Sequence, residues 1–217
     1  MSLRCSYEQG MFANEPMGNY AVHAALSEME ATCFHEAGHA VIDYMLGIGL
    51  ESVGVYSNVI GDTVGHGGEV KHRGRQTTRI SFSYRPLHFR YGLSAAAGPA
   101  AERRYRHEVG LPQRLLLATQ GDHQIIDRIG KAIGHTGRCR FAFQRHIWSH
   151  AQRLIDSPDV WDAINAVAFA LHDAAMLDID LDADGEQWAF LAPRNVYAEC
   201  RKAGLRRGQL AVNSRGK

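Results

Sequence analysis

Hydrophobic positions recur at helical spacing over most of this 217-residue chain. A first helix is predicted to begin at Ser27, where Ser27 and Glu30 form a capping box, and to end at Gly47. A second helix is predicted from Pro86 as far as residue 105. Further helices are predicted over residues 119–133, 140–155, 158–177, 186–191 and 196–202.

Two other patterns complete the predicted architecture. Gly98 and Pro99 lie inside the second helix and are expected to bend or break it. Between the first two helices, β-branched residues separated by glycines predict two or three short strands over 53–70, and another strand over 80–84. We therefore expect a mainly helical α+β fold, with a small mixed or antiparallel sheet near the first helix and a C-terminal helical bundle.

Composition places the chain among globular proteins. Hydrophobic residues make up 45% and charged residues 22%, and a net charge of +1 gives no reason to expect binding to nucleic acid. The sequence has no apolar stretch of about 20 residues and no signal-peptide pattern, which predicts no membrane insertion. Its four cysteines lack paired spacing, which is typical of a reducing compartment, so a soluble cytoplasmic protein is expected.

The domain boundaries are predicted from the same patterns. Residues 1–20 show no sustained period and are expected to form a loosely ordered lead-in, whereas 21–203 should fold as one domain. Residues 204–217 are rich in arginine, lysine and glycine, which is typical of a basic flexible tail. Nothing in the sequence predicts the oligomeric state.

The first predicted helix contains the sequence His35-Glu36-Ala37-Gly38-His39. Residues four apart share a helix face, so both imidazoles can hold one metal ion. Glu36 can then reach a water molecule at the open coordination position and act as a general base. These residue types at this spacing predict metal-assisted hydrolysis, with zinc as the cofactor.

Two histidines leave a catalytic zinc site one protein ligand short. Asp122, at the start of the third long helix, is the first candidate for the missing ligand, although aspartate at such a position is also a common helix cap. Glu102 on the second helix is the rival ligand, or else a carboxylate that orients a ligating imidazole.

The order of these motifs resembles the protease domain of the FtsH-type ATP-dependent zinc metalloproteases. The segment His35 to Ala40 reads H-E-A-G-H-A, residues 97–102 look like that family's second motif, and residues 120–122 look like its third. The match covers roughly residues 27–192 and is specific at the first motif. The resemblance implies that His35, His39 and Asp122 are the zinc ligands and that Glu36 is the general base.

The same resemblance suggests an activity and its partners. It implies a metallopeptidase acting on peptides or unfolded proteins, but the sequence has no G-x-x-x-x-G-K-[ST] motif for an ATPase of its own. A separate ATPase partner is therefore one possibility. His66 lies where the related enzymes have a strand edge beside the active site, which makes it a candidate for contact with an extended substrate. The alternative is a zinc-binding regulatory or adaptor domain that acts through a partner.

Two weaker signals are not interpreted as metal sites. Residues 180–185 copy half of a calcium-binding loop, but Leu191 stands where the closing glutamate belongs, which favours an acidic turn. His146 and His150 are four residues apart without a third candidate ligand, which favours surface histidines.

Overall fold

A computed structural model describes residues 17–60, 63–73, 85–113, 120–132, 137–177 and 187–210. In these ranges the chain forms six helices and three strands. They are, in chain order, α1 (Met17–Leu46), β1 (Leu50–Ile60), β2 (Thr63–His72), α2 (Arg85–Glu108), α3 (Gln120–Ala132), α4 (Gly137–Ile155), α5 (Pro158–Leu177), β3 (Gln187–Leu191) and α6 (Pro193–Lys202). The prediction of a mainly helical α+β fold with a small antiparallel sheet is confirmed.

The first two helices differ in detail from the predicted ones. α1 begins at Met17, so Ser27 and Glu30 lie inside it, and the prediction that they cap its start is wrong. α2 continues through Pro99 without a break, because its packing against α1, α3 and α4 offsets the cost of a proline inside the helix. This continuity keeps the residues before and after Pro99 on one helix face.

The sheet has the strand order β2-β1-β3, and both strand pairs are antiparallel. β3 occupies residues predicted to be helical, so that prediction is wrong. The physical reason is that buried and uncovered side chains alternate along this segment, as they do in a strand. Ala189 and Leu191 are buried, whereas Trp188 and Phe190 lie on the opposite face, with their ring centroids 5.3 Å apart. A five-residue segment is too short for its helical period to be distinguished reliably.

α1 passes through the centre of the fold and contacts α2, α5 and the sheet. Small residues allow its close crossing with α2: a β-carbon placed on Gly38 would lie 2.7 Å from both the Ala101 β-carbon and the Ala97 carbonyl oxygen. α3 and α4 pack against α2, and α6 packs against α5. The α1–α2 crossing brings polar side chains of α2 close to the middle of α1.

Residues 205–210 dock on the C-terminal end of α1. The amide of Gly208 donates to the Tyr44 carbonyl at 3.0 Å, and the amide of Leu210 donates to the Met45 carbonyl at 2.9 Å. Leu205 is buried. This part of the predicted flexible tail therefore belongs to the fold, and residues 17–20 of the predicted lead-in are helical.

Several predictions fall on residues outside the described ranges. They are the remainder of the lead-in, the strand over 80–84, the acidic turn over 180–185 and the last seven residues, 211–217. Among the helices that are described, none combines the length and apolar character needed to cross a membrane.

Candidate metal centre

His35 and His39 lie one turn apart on α1, and their imidazoles point to the same place. The two Nε2 atoms are 3.1 Å apart, and the ring centroids are 4.9 Å apart. This is the geometry expected of residues four apart on one helix face. This arrangement is consistent with the sequence prediction that both imidazoles can hold one metal ion.

Asp122, in the first turn of α3, brings a carboxylate to the same point. Its Oδ2 lies 3.2 Å from His35 Nε2, and its Oδ1 lies 3.5 Å from His39 Nε2. α3 is held against α4 next to this residue, where the ring of His123 packs on that of Trp148 at 4.7 Å. His35, His39 and Asp122 form a group that could hold a metal ion, and no second such group occurs within the described ranges.

The other ring nitrogen of each histidine has a partner on α2. His39 Nδ1 donates to the Ser94 carbonyl oxygen at 2.8 Å, and His35 Nδ1 lies 2.9 Å from Glu102 Oε2. A carbonyl can only accept, so the proton of a neutral His39 is on Nδ1 and its Nε2 carries a lone pair. These contacts orient both imidazoles with Nε2 toward Asp122.

The position of Glu102 bears on the alternative that the sequence left open. It contacts His35 at Nδ1, on the side of the ring away from the three converging donor atoms. A carboxylate in that position orients the imidazole and is poorly placed to be a ligand itself. The geometry therefore favours Asp122 as the third ligand and Glu102 as the orienting carboxylate.

The electrostatics of the cluster favour a positive charge at its centre. The side chains of His35, His39 and Asp122 are only 13%, 12% and 16% exposed. Burial opposes charge on His35, but the Asp122 and Glu102 carboxylates outweigh it and raise its pKa to about 10. Burial also opposes charge on Asp122, yet the His39 and His35 imidazoles lower its pKa. Lone pairs at this spacing repel one another unless a proton or a metal cation lies between them.

Glu36 projects toward the sheet and is buried, with 6% of its surface exposed. A β-carbon placed on Gly68 of β2 would lie 2.7 Å from Glu36 Oε1, so β2 passes directly over the carboxyl group. Burial raises the pKa of Glu36 above its ordinary value, whereas the nearby His35 and His39 imidazoles oppose that shift. Glu36 is thus placed beside the cluster, under an edge of the described sheet.

His66 lies two residues before Gly68 on β2, so the two share a strand face. Its Nδ1 is 2.9 Å from the Ser57 hydroxyl on the neighbouring strand, which holds the ring in place. The candidate substrate contact is therefore on the face of β2 that covers Glu36. By contrast, His146 is exposed and His150 is half-buried, and their ring centroids lie 5.7 and 5.6 Å from that of Phe89. The prediction of surface histidines is confirmed for His146, whereas His150 is partly covered.

Two residues of α2 were missed in the sequence, Ser94 and Arg106. They lie on the helix face that also carries Gly98 and Glu102, at four-residue spacing; the Ser94 carbonyl contacts His39, and Arg106 contacts Glu102 and Glu28. Arg106 is 1% exposed, and its Nε donates to Glu102 Oε1 at 2.8 Å. The four-residue spacing of Glu102 and Arg106 was the available signal, since such pairs are neighbours on a helix.

Comparison with known proteins identifies no relative: no protein-family model matches the chain, and no curated protein matches its sequence.

Proposed function

We propose that this protein is a zinc-dependent metallopeptidase of the FtsH type, in which His35, His39 and Asp122 hold the ion and Glu36 is the general base. The observation that carries the proposal is the convergence of three donor atoms from α1 and α3 on one point. Both imidazoles are also held by partners at their other nitrogens. A helix cap or a set of surface histidines would not need either feature.

The donor set fits zinc in number, type and spacing. Two imidazoles and one carboxylate are a common set of protein ligands in catalytic zinc sites, which keep one position open. Bonds of about 2.0 Å in tetrahedral directions put neighbouring donor atoms about 3.3 Å apart. Here the two imidazole Nε2 atoms are 3.1 Å apart, and each has an Asp122 oxygen nearby: Oδ2 is 3.2 Å from His35 Nε2, and Oδ1 is 3.5 Å from His39 Nε2. With one oxygen of Asp122 as the ligand, the three donor atoms all lie within 4.8 Å of one another.

Each residue has a distinct task in the proposed hydrolysis. A bound zinc ion would act as a Lewis acid that acidifies a water molecule and polarises the scissile carbonyl. Glu36, whose pKa burial raises, accepts the proton of the attacking water and passes it to the leaving amine. Glu102 and the Ser94 carbonyl keep the imidazoles of His35 and His39 in the ligating orientation.

Peptides and unfolded proteins are the proposed substrates. In the described part of the sheet β2 is an edge strand, and an extended peptide could pair with it next to Glu36 and His66. Delivery by a separate ATPase partner and a cytoplasmic location without nucleic-acid binding belong to the same proposal. So does a C-terminal helical bundle, which the packing of α5 on both α1 and α6 supports.

Glu36→Gln tests the mechanism. The variant should bind zinc with the stoichiometry of the wild type, while cleavage of fluorescein-labelled casein falls by about 10²–10⁴-fold, the usual contribution of a general base. Glu108→Gln, a change at a carboxylate that is 44% exposed on α2, is the matched control and should cleave normally. Unchanged cleavage by a zinc-loaded Glu36→Gln variant would reject the mechanism.

The wild-type protein itself separates the proposal from the alternatives. Stoichiometric zinc without hydrolysis of any peptide, ester or amide would favour a regulatory or adaptor domain. Hydrolysis of esters or small amides without peptide cleavage would support the proposed chemistry of the site but show that its substrates belong to another class.

A further inference from the structure

Arg106 is a buried cation near the C-terminal end of α2. Its side chain is 1% exposed. Its recorded contacts do not include His35, His39 or Asp122, the three candidate metal ligands. Burying a guanidinium is unfavourable unless its donors are paired with acceptors. A charge retained in such a place therefore calls for an explanation.

The guanidinium contacts two carboxylates on different helices. Its Nε donates to Glu102 Oε1 at 2.8 Å, and its two terminal nitrogens donate to the two carboxylate oxygens of Glu28 on α1, one of them at 3.0 Å. One terminal nitrogen also donates to the Pro112 carbonyl at 2.9 Å. The guanidinium is thus fixed by α1, by α2 and by the chain that follows α2.

Glu102 is fixed between two donors, one on each oxygen. Oε1 accepts from Arg106, and Oε2 lies 2.9 Å from His35 Nδ1. The two nitrogens of an imidazole lie in one plane, so the direction of the Nδ1 contact also sets the direction of the Nε2 lone pair. Glu102 therefore links the Arg106 guanidinium to the imidazole of His35.

We propose that Arg106 is a positioning residue of the metal centre, which acts through Glu102 to hold the His35 imidazole in its ligating orientation. This inference rests on the proposed function, since it assumes that His35 binds the ion. Arginine suits the role because its planar fork pairs with two carboxylates at fixed angles, whereas an ammonium group is a single point of charge.

The test is a double-mutant cycle on zinc affinity, measured by competition with a chelator. Arg106→Lys keeps the buried positive charge and loses the fork, so it should fold and bind zinc about tenfold to a hundredfold more weakly, the usual loss when a supporting partner is changed. Glu102→Gln should show a similar loss. The double variant should bind no more weakly than Glu102→Gln alone, because Arg106 acts through that carboxylate.

Cobalt(II) gives a second readout that general destabilisation would not change. The visible absorption band of the bound cobalt ion should shift in Arg106→Lys, since the ligand field depends on the direction of His35 Nε2. Arg104→Lys is the matched control on the same helix. Arg104 lies two residues from Glu102 and so on another side of α2, where its guanidinium stacks 4.1 Å from the Trp161 ring centroid and donates to the Ile155 carbonyl. It should leave both the affinity and the spectrum unchanged.

Glu28→Gln provides an independent variant at the partly exposed end of the network, where 34% of the side chain is accessible. It weakens the anchor of the guanidinium and should lower zinc affinity in the same direction by a smaller factor. Wild-type zinc affinity in Arg106→Lys overturns the inference. If Arg106→Lys does not fold, wild-type affinity in Glu28→Gln does so instead. Fully additive losses of affinity in the double-mutant cycle also overturn it. Failure of the wild type to bind zinc or cobalt overturns the proposed function instead.

Discussion

The backbone of α2 at Gly98 packs directly against the imidazole ring of His39. A β-carbon placed on this glycine would overlap His39 Nε2 and would lie 2.7 Å from both ring carbons next to that nitrogen. The backbone of α2 therefore forms one wall of the candidate metal centre. Only a residue without a side chain leaves His39 free to point Nε2 toward Asp122.

We expect Gly98→Ala to displace the His39 ring and to weaken zinc binding. Overpacking of this kind costs about 1–3 kcal/mol, equivalent to roughly fivefold to 150-fold in affinity. Gly121→Ala is the control, because that glycine is also helical and lies next to Asp122, but its β-carbon would meet no atom within 4 Å. The control should keep wild-type affinity and gain up to about 1 kcal/mol of stability. Equal zinc affinity in the two variants, measured by chelator competition, would contradict the proposed wall.

Gly68→Ala should affect catalysis rather than metal binding. The added methyl group would collide with the Glu36 carboxyl group, 2.7 Å from its Oε1, and displace the proposed base while leaving the ligands in place. We expect casein cleavage to fall at least tenfold at full zinc occupancy, given that a positioned general base contributes about 10²–10⁴-fold. Gly49→Ala, whose nearest neighbouring atom is 3.5 Å away, should cleave normally. Zinc loss in Gly68→Ala would show that β2 supports the ligands as well.

Asp122 and Glu102 should differ in their effect on zinc occupancy. Asp122→Ala removes a donor atom from the cluster and should abolish stoichiometric zinc in the purified protein, as measured by elemental analysis. Glu102→Gln removes only the charge of a group that contacts His35 Nδ1, so zinc should remain bound at high concentration with a lower affinity. The reverse result would make Glu102 the ligand.

Cysteine reactivity tests how deeply α1 and α6 are buried in the fold. Burial raises the pKa of both Cys33 and Cys200 to about 12, so at pH 8 only about one molecule in ten thousand carries either thiolate. Cys139 is exposed on α4. Iodoacetamide should therefore modify Cys139 long before Cys33 or Cys200, as peptide mass spectrometry can show, and Cys139→Ser should remove this fast site. Denaturation in urea should make all of them reactive, and early labelling of Cys33 would mean that α1 is less buried than described.

The sequence alone was sufficient for features that depend on neighbours along the chain. His35, Glu36 and His39 share a helix whose period fixes their relative directions, so their arrangement could be predicted before any fold was known. The α+β class followed in the same way from the helical and alternating patterns. Asp122 was predicted less directly, from its position at the start of a later helix and from the resemblance to a family motif, and its Oδ2 lies 3.2 Å from His35 Nε2.

Contacts between distant segments could not be derived from these local patterns. The sequence left Glu102 as either a ligand or an orienting group, and only the α1–α2 crossing places it at His35 Nδ1. The sequence predicted that Gly98 would bend or break α2, whereas in the fold its backbone packs against His39. The same α1–α2 crossing buries Arg106 against Glu28. β3 was misread as a helix because five residues carry too little periodicity, and pairing with β1 decided its conformation.

The local sequence thus determined that His35 and His39 share one helix face with Glu36 beside them, since side-chain direction within a helix follows from backbone geometry. The tertiary structure decided how those groups are oriented and charged. Hydrogen-bond partners, burial and the absence of a β-carbon at Gly98 depend on which surfaces meet in space, and that is set by the packing of the whole chain.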